Sequence, residues 1–182
     1  MSIKYADEII QNMNERGPIV VPNNCVTGEA YEQWLYGDKT MNELSTTRQN
    51  HMIGVANKMK QMAIDDGTFN QTEIEDMWLL GYLHDIGYAY GEPKGHAARG
   101  GTLLQRNGYK HWLTVFNHGM GNSAIQYKEL AMLNKADLTT DSNGCDITPK
   151  ERLERIKTNY GEDSDNYKNI KILIETLFPD EL

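Results

Sequence analysis

The chain has 182 residues, 26 of them acidic and 18 basic, for a formal net charge of −8. That length fits a single domain with a sizeable core, since chains near this size bury about 70% of their unfolded surface. The acidic balance argues against an extended nucleic-acid surface or an anionic-membrane binder, both of which need a basic stripe, but it leaves room for a small anionic substrate in a locally positive pocket.

In chain order, the first residues show no signal-peptide apolar core, and no apolar run is long enough to span a bilayer. Residues 6–15 read as a short amphipathic helix with Ile9, Ile10 and Met13 on one stripe, ended by Gly17-Pro18. Residues 19–22 form a brief extended run held short by Pro18 and Pro22. Thr27 can cap a helix through Tyr31, Trp34 and Leu35, which Gly37-Asp38 breaks. Cys25 and Cys145 lie far apart and make no metal-type pair, as expected of free thiols in a reducing cytoplasm.

Ser45 or Thr46 should open a long helix to Asp66, with Met52, Val55, Met59 and Met62 at helical spacing as core filler. Thr72 and Glu75 match a capping box for a second helix that runs into His84-Asp85. Gly87 should allow that helix to stop. His96 opens the next helix, whose Gly100-Gly101 suggests a close backbone approach or a kink, and Asn107-Gly108 ends it. Residues 110–117 form a short helix closed by His118-Gly119, and His111 on it reads as a surface residue. Residues 124–138 are helical and deliver Asp137, and residues 141–146 read as a polar turn. Thr148-Pro149-Lys150-Glu151 is a capping box with proline at the first helical position, and a last helix uses Ile170, Leu173 and Leu177. The chain as a whole reads as all-α, with about seven or eight helices.

The stretch from Leu79 to Tyr88 stands out, because an apolar run stops abruptly at a histidine, an aspartate and a glycine. A neutral imidazole beside a carboxylate is a suitable start for a divalent-metal site, although the dipeptide alone also fits a helix terminus with a capping histidine. The placement of the other histidines decides more. An isolated His51, the pair His84-Asp85, then His96 and His118, and finally Asp137 follow one another along the chain. This order, with the literal His84-Asp85-Ile86-Gly87, resembles the HD superfamily of metal-dependent phosphohydrolases. Arg48-Gln49-Asn50-His51, Gly95-His96-Ala97-Ala98-Arg99 and Asn117-His118-Gly119 look like further segments of the same pattern, and the likeness runs from Arg48 to about Asp165.

The resemblance implies an HD-domain helical bundle over 1–182, with 1–47 as an N-terminal helical extension and 48–165 as the HD core. It implies a divalent ion (Mn, Fe, Co, Ni, Mg or Zn, one or two per chain) on His51, His84, Asp85 and Asp137. His96 and His118 would act on the substrate phosphate or move protons with Asp85, or else hold a second ion. The implied reaction is attack of metal-activated water on the phosphorus of a small phosphorylated molecule, a nucleotide above others. The same pattern also fits a metal- and nucleotide-binding regulatory module, or a two-metal oxygenase. Tyr88 stands where many members have lysine, and the Gly-Tyr-Pro signature of the cyclic-dinucleotide branch is missing. Arg48, Lys94 and Arg99 are the candidate phosphate-binding cations. The expected setting is cytoplasmic, without membrane partners, and a homo-oligomer is left open.

Overall fold

The computed structural model describes residues 44–90, 94–106, 108–121 and 127–181. The elements expected between residues 6 and 38, and Cys25, lie outside them. Seven α-helices run through the described residues: α1 Thr46–Asp66, α2 Gln71–Leu83, α3 His96–Arg106, α4 Trp112–Asn117, α5 Lys128–Leu138, α6 Pro149–Tyr160 and α7 Asp165–Leu177. A 3-10 turn, Ile86–Tyr90, joins α2 to α3. The all-α class is as expected, and among the described residues the only β pairing is the single bridge Thr140–Asp146.

Local chemistry explains where the helices start. Ser45 caps α1 by accepting the Arg48 amide at 3.2 Å. Thr148 and Glu151 close the expected capping box on α6, with Pro149 at its first turn. The start of α2 is corrected by two residues: its box is Asn70 with Glu73, not Thr72 with Glu75. Phe69 and Ile74 then stand at the two positions of a hydrophobic staple, and both pack against the core. Cys145 is an exposed free thiol.

One apolar cluster joins α1, α2, α3 and α5 through residues such as Met52, Val55, Leu80, Leu83, Leu104 and Leu133. The methionine stripe of α1 is core, with Met52 and Met59 essentially inaccessible. A second cluster packs Leu138 at the end of α5 against Leu153 and Ile156 of α6 and Leu173, Ile174 and Leu177 of α7. Helix α5 is therefore shared, and α6 is brought over the same end of the bundle as the His-Asp turn. Among the described residues, no helix is long and apolar enough to cross a membrane.

Gly87 does a different job from the one expected. It is not among the glycines of positive φ, so it does not end α2 through left-handed backbone. It permits close approach instead: a Cβ there would lie 1.9 Å from the His96 carbonyl oxygen and 2.8 Å from the Gly100 nitrogen. Gly101 serves the same end toward α4, where a Cβ would fall 2.5 Å from Cβ of Phe116. These contacts press the start of α3 against the turn that carries His84 and Asp85.

Candidate metal centre

Five segments converge on one point. Helix α1 brings Arg48 and His51, the end of α2 brings His84 and Asp85, α3 begins with His96, the turn after α4 brings His118, and α5 brings Asp137. His51, His84, Asp85 and His118 are all buried. Asp85 lies in the middle. Its Oδ2 faces His84 Nε2 at 3.3 Å and His51 Nε2 at 3.8 Å, while its Oδ1 faces His96 Nε2 at 3.2 Å and His118 Nε2 at 3.5 Å. Asp137 Oδ1 is 3.1 Å from His51 Nε2. The His96 and His118 Nε2 atoms are 3.2 Å apart.

The outer nitrogens of three imidazoles are fixed by backbone carbonyls. His51 Nδ1 lies 3.0 Å from the Asp141 oxygen, His84 Nδ1 2.7 Å from that of Gly81, and His118 Nδ1 2.6 Å from that of Val115. A carbonyl can only accept, so each Nδ1 carries the proton and each neutral ring turns the Nε2 lone pair inward. His51 Nε2 and His84 Nε2 are buried without a hydrogen-bond partner, even though carboxylate oxygens stand close by. Lone pairs facing carboxylates at these distances repel unless a cation lies among them. The spacing also suits an ion. Ligand atoms about 2.1 Å from one divalent ion, at roughly 90–110° to each other, lie roughly 3.0–3.4 Å apart. Two sets of three donors meet within reach of a single ion each: His51, His84 and Asp137, and His84, Asp85 and His118. The residues fit a divalent metal.

The electrostatics agree. Burial opposes charge on Asp85, but His84 and His96 outweigh it and hold the carboxyl well below its usual range. Asp137 is lowered in the same way against burial, by His51 and Arg152. Burial lowers the pKa of His84. Burial also opposes protonation of His51 and His118, but Asp137 and Asp85 respectively win and raise both. In the ion-free protein, protons therefore compete for these two rings from above the ordinary imidazole value of about 6.5. Divalent-ion affinity should fall steadily as pH drops from 8 to 6. Calorimetric dissociation constants at three pH values check this, and a flat profile speaks against ligation by these rings.

The family model for the HD domain matches residues 48–159, more than half of the chain. The chain belongs to the HD-domain family. Neither the curated proteins nor the solved structures that were searched gave a match.

Beside this cluster the HD domain has a cleft of about 410 Å³, lined by Arg48, His51, Asp85, Tyr88, His96, His118 and Asp137 together with α6. Arg48 bonds Asp85 through Nη1, and its guanidinium carbon lies 4.0 Å over the Tyr88 ring. The other face of Tyr88 stacks on His96, with centroids 4.2 Å apart and planes at 27°. Arg48, Tyr88 and His96 thus form a three-layer stack on one wall. Burial, with Asp85 nearby, pushes the Tyr88 hydroxyl up to about 12, so it remains a neutral donor.

Two expected phosphate ligands are not in place. Arg99 is 1% exposed and spends its guanidinium on the carbonyls of Gly87, at 3.3 Å, and Lys94, at 3.1 Å. It braces the turn and does not reach the cleft. Lys94 is exposed and is not among the residues that line the cleft. His111 is half-buried rather than on the surface, and it packs against Tyr109 away from the cluster.

Sequence reasoning missed three contributors. The Asp141 carbonyl orients His51, so the polar turn at residues 141–146 is part of the site. Arg152 reaches Asp137 Oδ1 at 3.4 Å, and Arg155 reaches Asp141 Oδ2 at 3.5 Å. The available signal was the spacing of Arg152, Arg155 and Asn159 along one polar face of α6.

Proposed function

We propose that this HD domain is a metal-dependent phosphohydrolase acting on a small phosphorylated molecule, with nucleotides the leading candidates. The observation that carries the reading is the set of inward Nε2 lone pairs converging with Asp85 and Asp137 at the floor of an arginine-lined cleft. His51, His84, Asp85 and Asp137 would hold a divalent ion, which when bound supplies charge for a phosphoryl oxygen and a water acidic enough to react near neutral pH. Arg48 gives one N–H to Asp85 and has others for a phosphate oxygen. Arg152 lines the same cleft, next to Asp137. In the neutral ring, with Nδ1–H held by Val115, His118 Nε2 can only accept, so a proton shared between the paired histidines then belongs on His96 Nε2. His96 lines the cleft and is placed to deliver that proton to a leaving oxygen.

A second reading of His96 and His118 rests on the divided carboxylate of Asp85, whose Oδ1 turns to those two rings while Oδ2 turns to His51 and His84. Such an arrangement suits a second ion. Elemental analysis separates the two. Under the proton-transfer reading, His96→Ala keeps its metal and loses about 10²–10⁴ in rate. A content that falls from two ions per chain toward one selects the second reading.

The function is tested by phosphate release from a panel of nucleotides and simple phosphoesters with Mn, Co, Ni, Mg or Fe. Metal-dependent release from at least one class is expected. Metal-loaded protein that releases phosphate from none would favour a regulatory module, and oxygen consumption with an organic substrate would favour an oxygenase. Given an active substrate, Arg48→Ala should lower kcat/KM by about 10- to 150-fold, the equivalent of roughly 1.5–3 kcal/mol for a hydrogen bond to a charged group. Lys94→Ala should stay within about twofold, or roughly 0.4 kcal/mol. Equal losses in the two variants would remove Arg48 from the phosphate site.

A further inference from the structure

Among the described residues, the cleft is lined by three arginines, Arg48, Arg152 and Arg155, and by no lysine. Arg48 belongs to the motif side of the cleft. Arg152 and Arg155 belong to α6, three residues apart and so on one face. Neither is tightly committed. The Arg152 contact to Asp137 is 3.4 Å long, and its Nε is buried without a hydrogen-bond partner. Arg155 meets Asp141 at 3.5 Å with a side chain that is 53% exposed, and the other oxygen of Asp141 already accepts the amides of Asn143 and Cys145. A fork that is loosely held beside a cleft and has donors to spare is suited to an anion that arrives from solution.

Charge balance points the same way. With a divalent ion on the floor, Asp85 and Asp137 are neutralised as ligands, and Arg48 and Arg152 suffice for a phosphate dianion. Arg155 is not needed for that balance; its one ion pair among the described residues is with Asp141, at 3.5 Å, and it stands about one helical turn along α6 from Arg152.

From this we propose that α6 carries a second anion subsite, in which Arg155, with Arg152 shared, takes a second phosphoryl group linked to the one held beside Arg48. The substrate class is then a diphosphate, as an ester or an anhydride, rather than a monophosphate. The inference rests on the reading that the cleft holds phosphate.

Binding of inorganic phosphate and inorganic diphosphate to the full chain, loaded with cobalt, dialysed free of excess metal and titrated in a calorimeter at fixed low salt, tests it. Wild type should prefer diphosphate by at least tenfold. Arg155→Gln should lower diphosphate affinity tenfold or more while changing phosphate affinity less than threefold, and Arg152→Gln should weaken both. Arg155→Lys keeps the charge but loses the fork, so it should give an intermediate ratio, and it serves the same comparison if the glutamine variant does not fold. Phosphonoacetate, which joins a phosphonate to a carboxylate, is a third probe, and binding as tight as that of diphosphate would widen the class to any paired anions and overturn the phosphoryl assignment. Equal affinities for phosphate and diphosphate in wild type, or an unchanged ratio in Arg155→Gln, would overturn the subsite. An intact ratio in a protein that hydrolyses nothing would leave the subsite standing and count against the hydrolase reading alone.

Discussion

Replacing Asp85 with alanine should abolish ion binding and lower kcat/KM by at least about 10⁴-fold, the upper end of what losing one acid–base group costs, because this residue touches every part of the site. Four imidazole Nε2 atoms lie within 3.2–3.8 Å of its two oxygens, and Arg48 binds it as well. Its removal leaves the inward lone pairs without their central counter-charge and frees Arg48 from its anchor. Asp85→Asn keeps the shape and removes the charge, so it should remain folded and lose the ion. His111→Ala, away from the cluster, is the matched control and should keep wild-type metal content. An Asp85→Ala protein with full metal occupancy would place the ion somewhere else.

The second large effect should come from a methyl group. Gly87→Ala puts a Cβ 1.9 Å from a backbone carbonyl oxygen, which no side-chain rotation can relieve. The turn and α3 must separate, and overpacking of this kind typically costs about 1–3 kcal/mol or more. For a chain of this size each kcal/mol lowers Tm by about 2–4 °C. The displaced segment starts with His96, so the activity loss should exceed what the stability loss alone would give. Gly67→Ala is the useful comparison. Gly67 has φ of +71° but nothing within 4 Å of the added carbon, so only the left-handed backbone resists, at about 1–2 kcal/mol. Thermal melts and metal content measured side by side should show Gly67→Ala weakened but loaded, and Gly87→Ala both weakened and altered at the site. Equal melting temperatures and activities for the two would show that the Gly87 contact is not needed.

Much of this was legible in the chain because helices announce themselves locally. The Ser45 cap, the Thr148–Glu151 box and the methionine stripe of α1 are all set by neighbours a few residues away. The order of the histidines and aspartates carried the site for a related reason: each side chain sits at a helix end or on one helix face. What escaped depends on packing between distant segments. Two overlapping boxes at the start of α2 look alike in sequence, and only the burial of Phe69 and Ile74 separates them. Arg99, three residues after His96, points into the turn and bonds carbonyls that have no sequence signature. Arg152 and Arg155 follow His84 by more than sixty residues, and α6 meets the cleft only because Leu138, Leu153 and Ile156 share the second apolar cluster. The Asp141 carbonyl that orients His51 belongs to the backbone, so the identity of residue 141 gives no sign of it.

The most direct measurement is a calorimetric titration of chelator-treated protein with manganese or cobalt, run beside His84→Ala and followed by phosphate release from the same samples. His84 is fully buried and its unpartnered Nε2 faces the carboxylates, so under the proposed function its loss removes a ligand without touching the cleft lining. Saturable binding of one or two ions per chain in wild type, the loss of that binding in His84→Ala, and phosphate release only from the loaded wild type are the expected results. Absence of saturable binding, or the same isotherm in both proteins, would contradict a metal centre at this cluster.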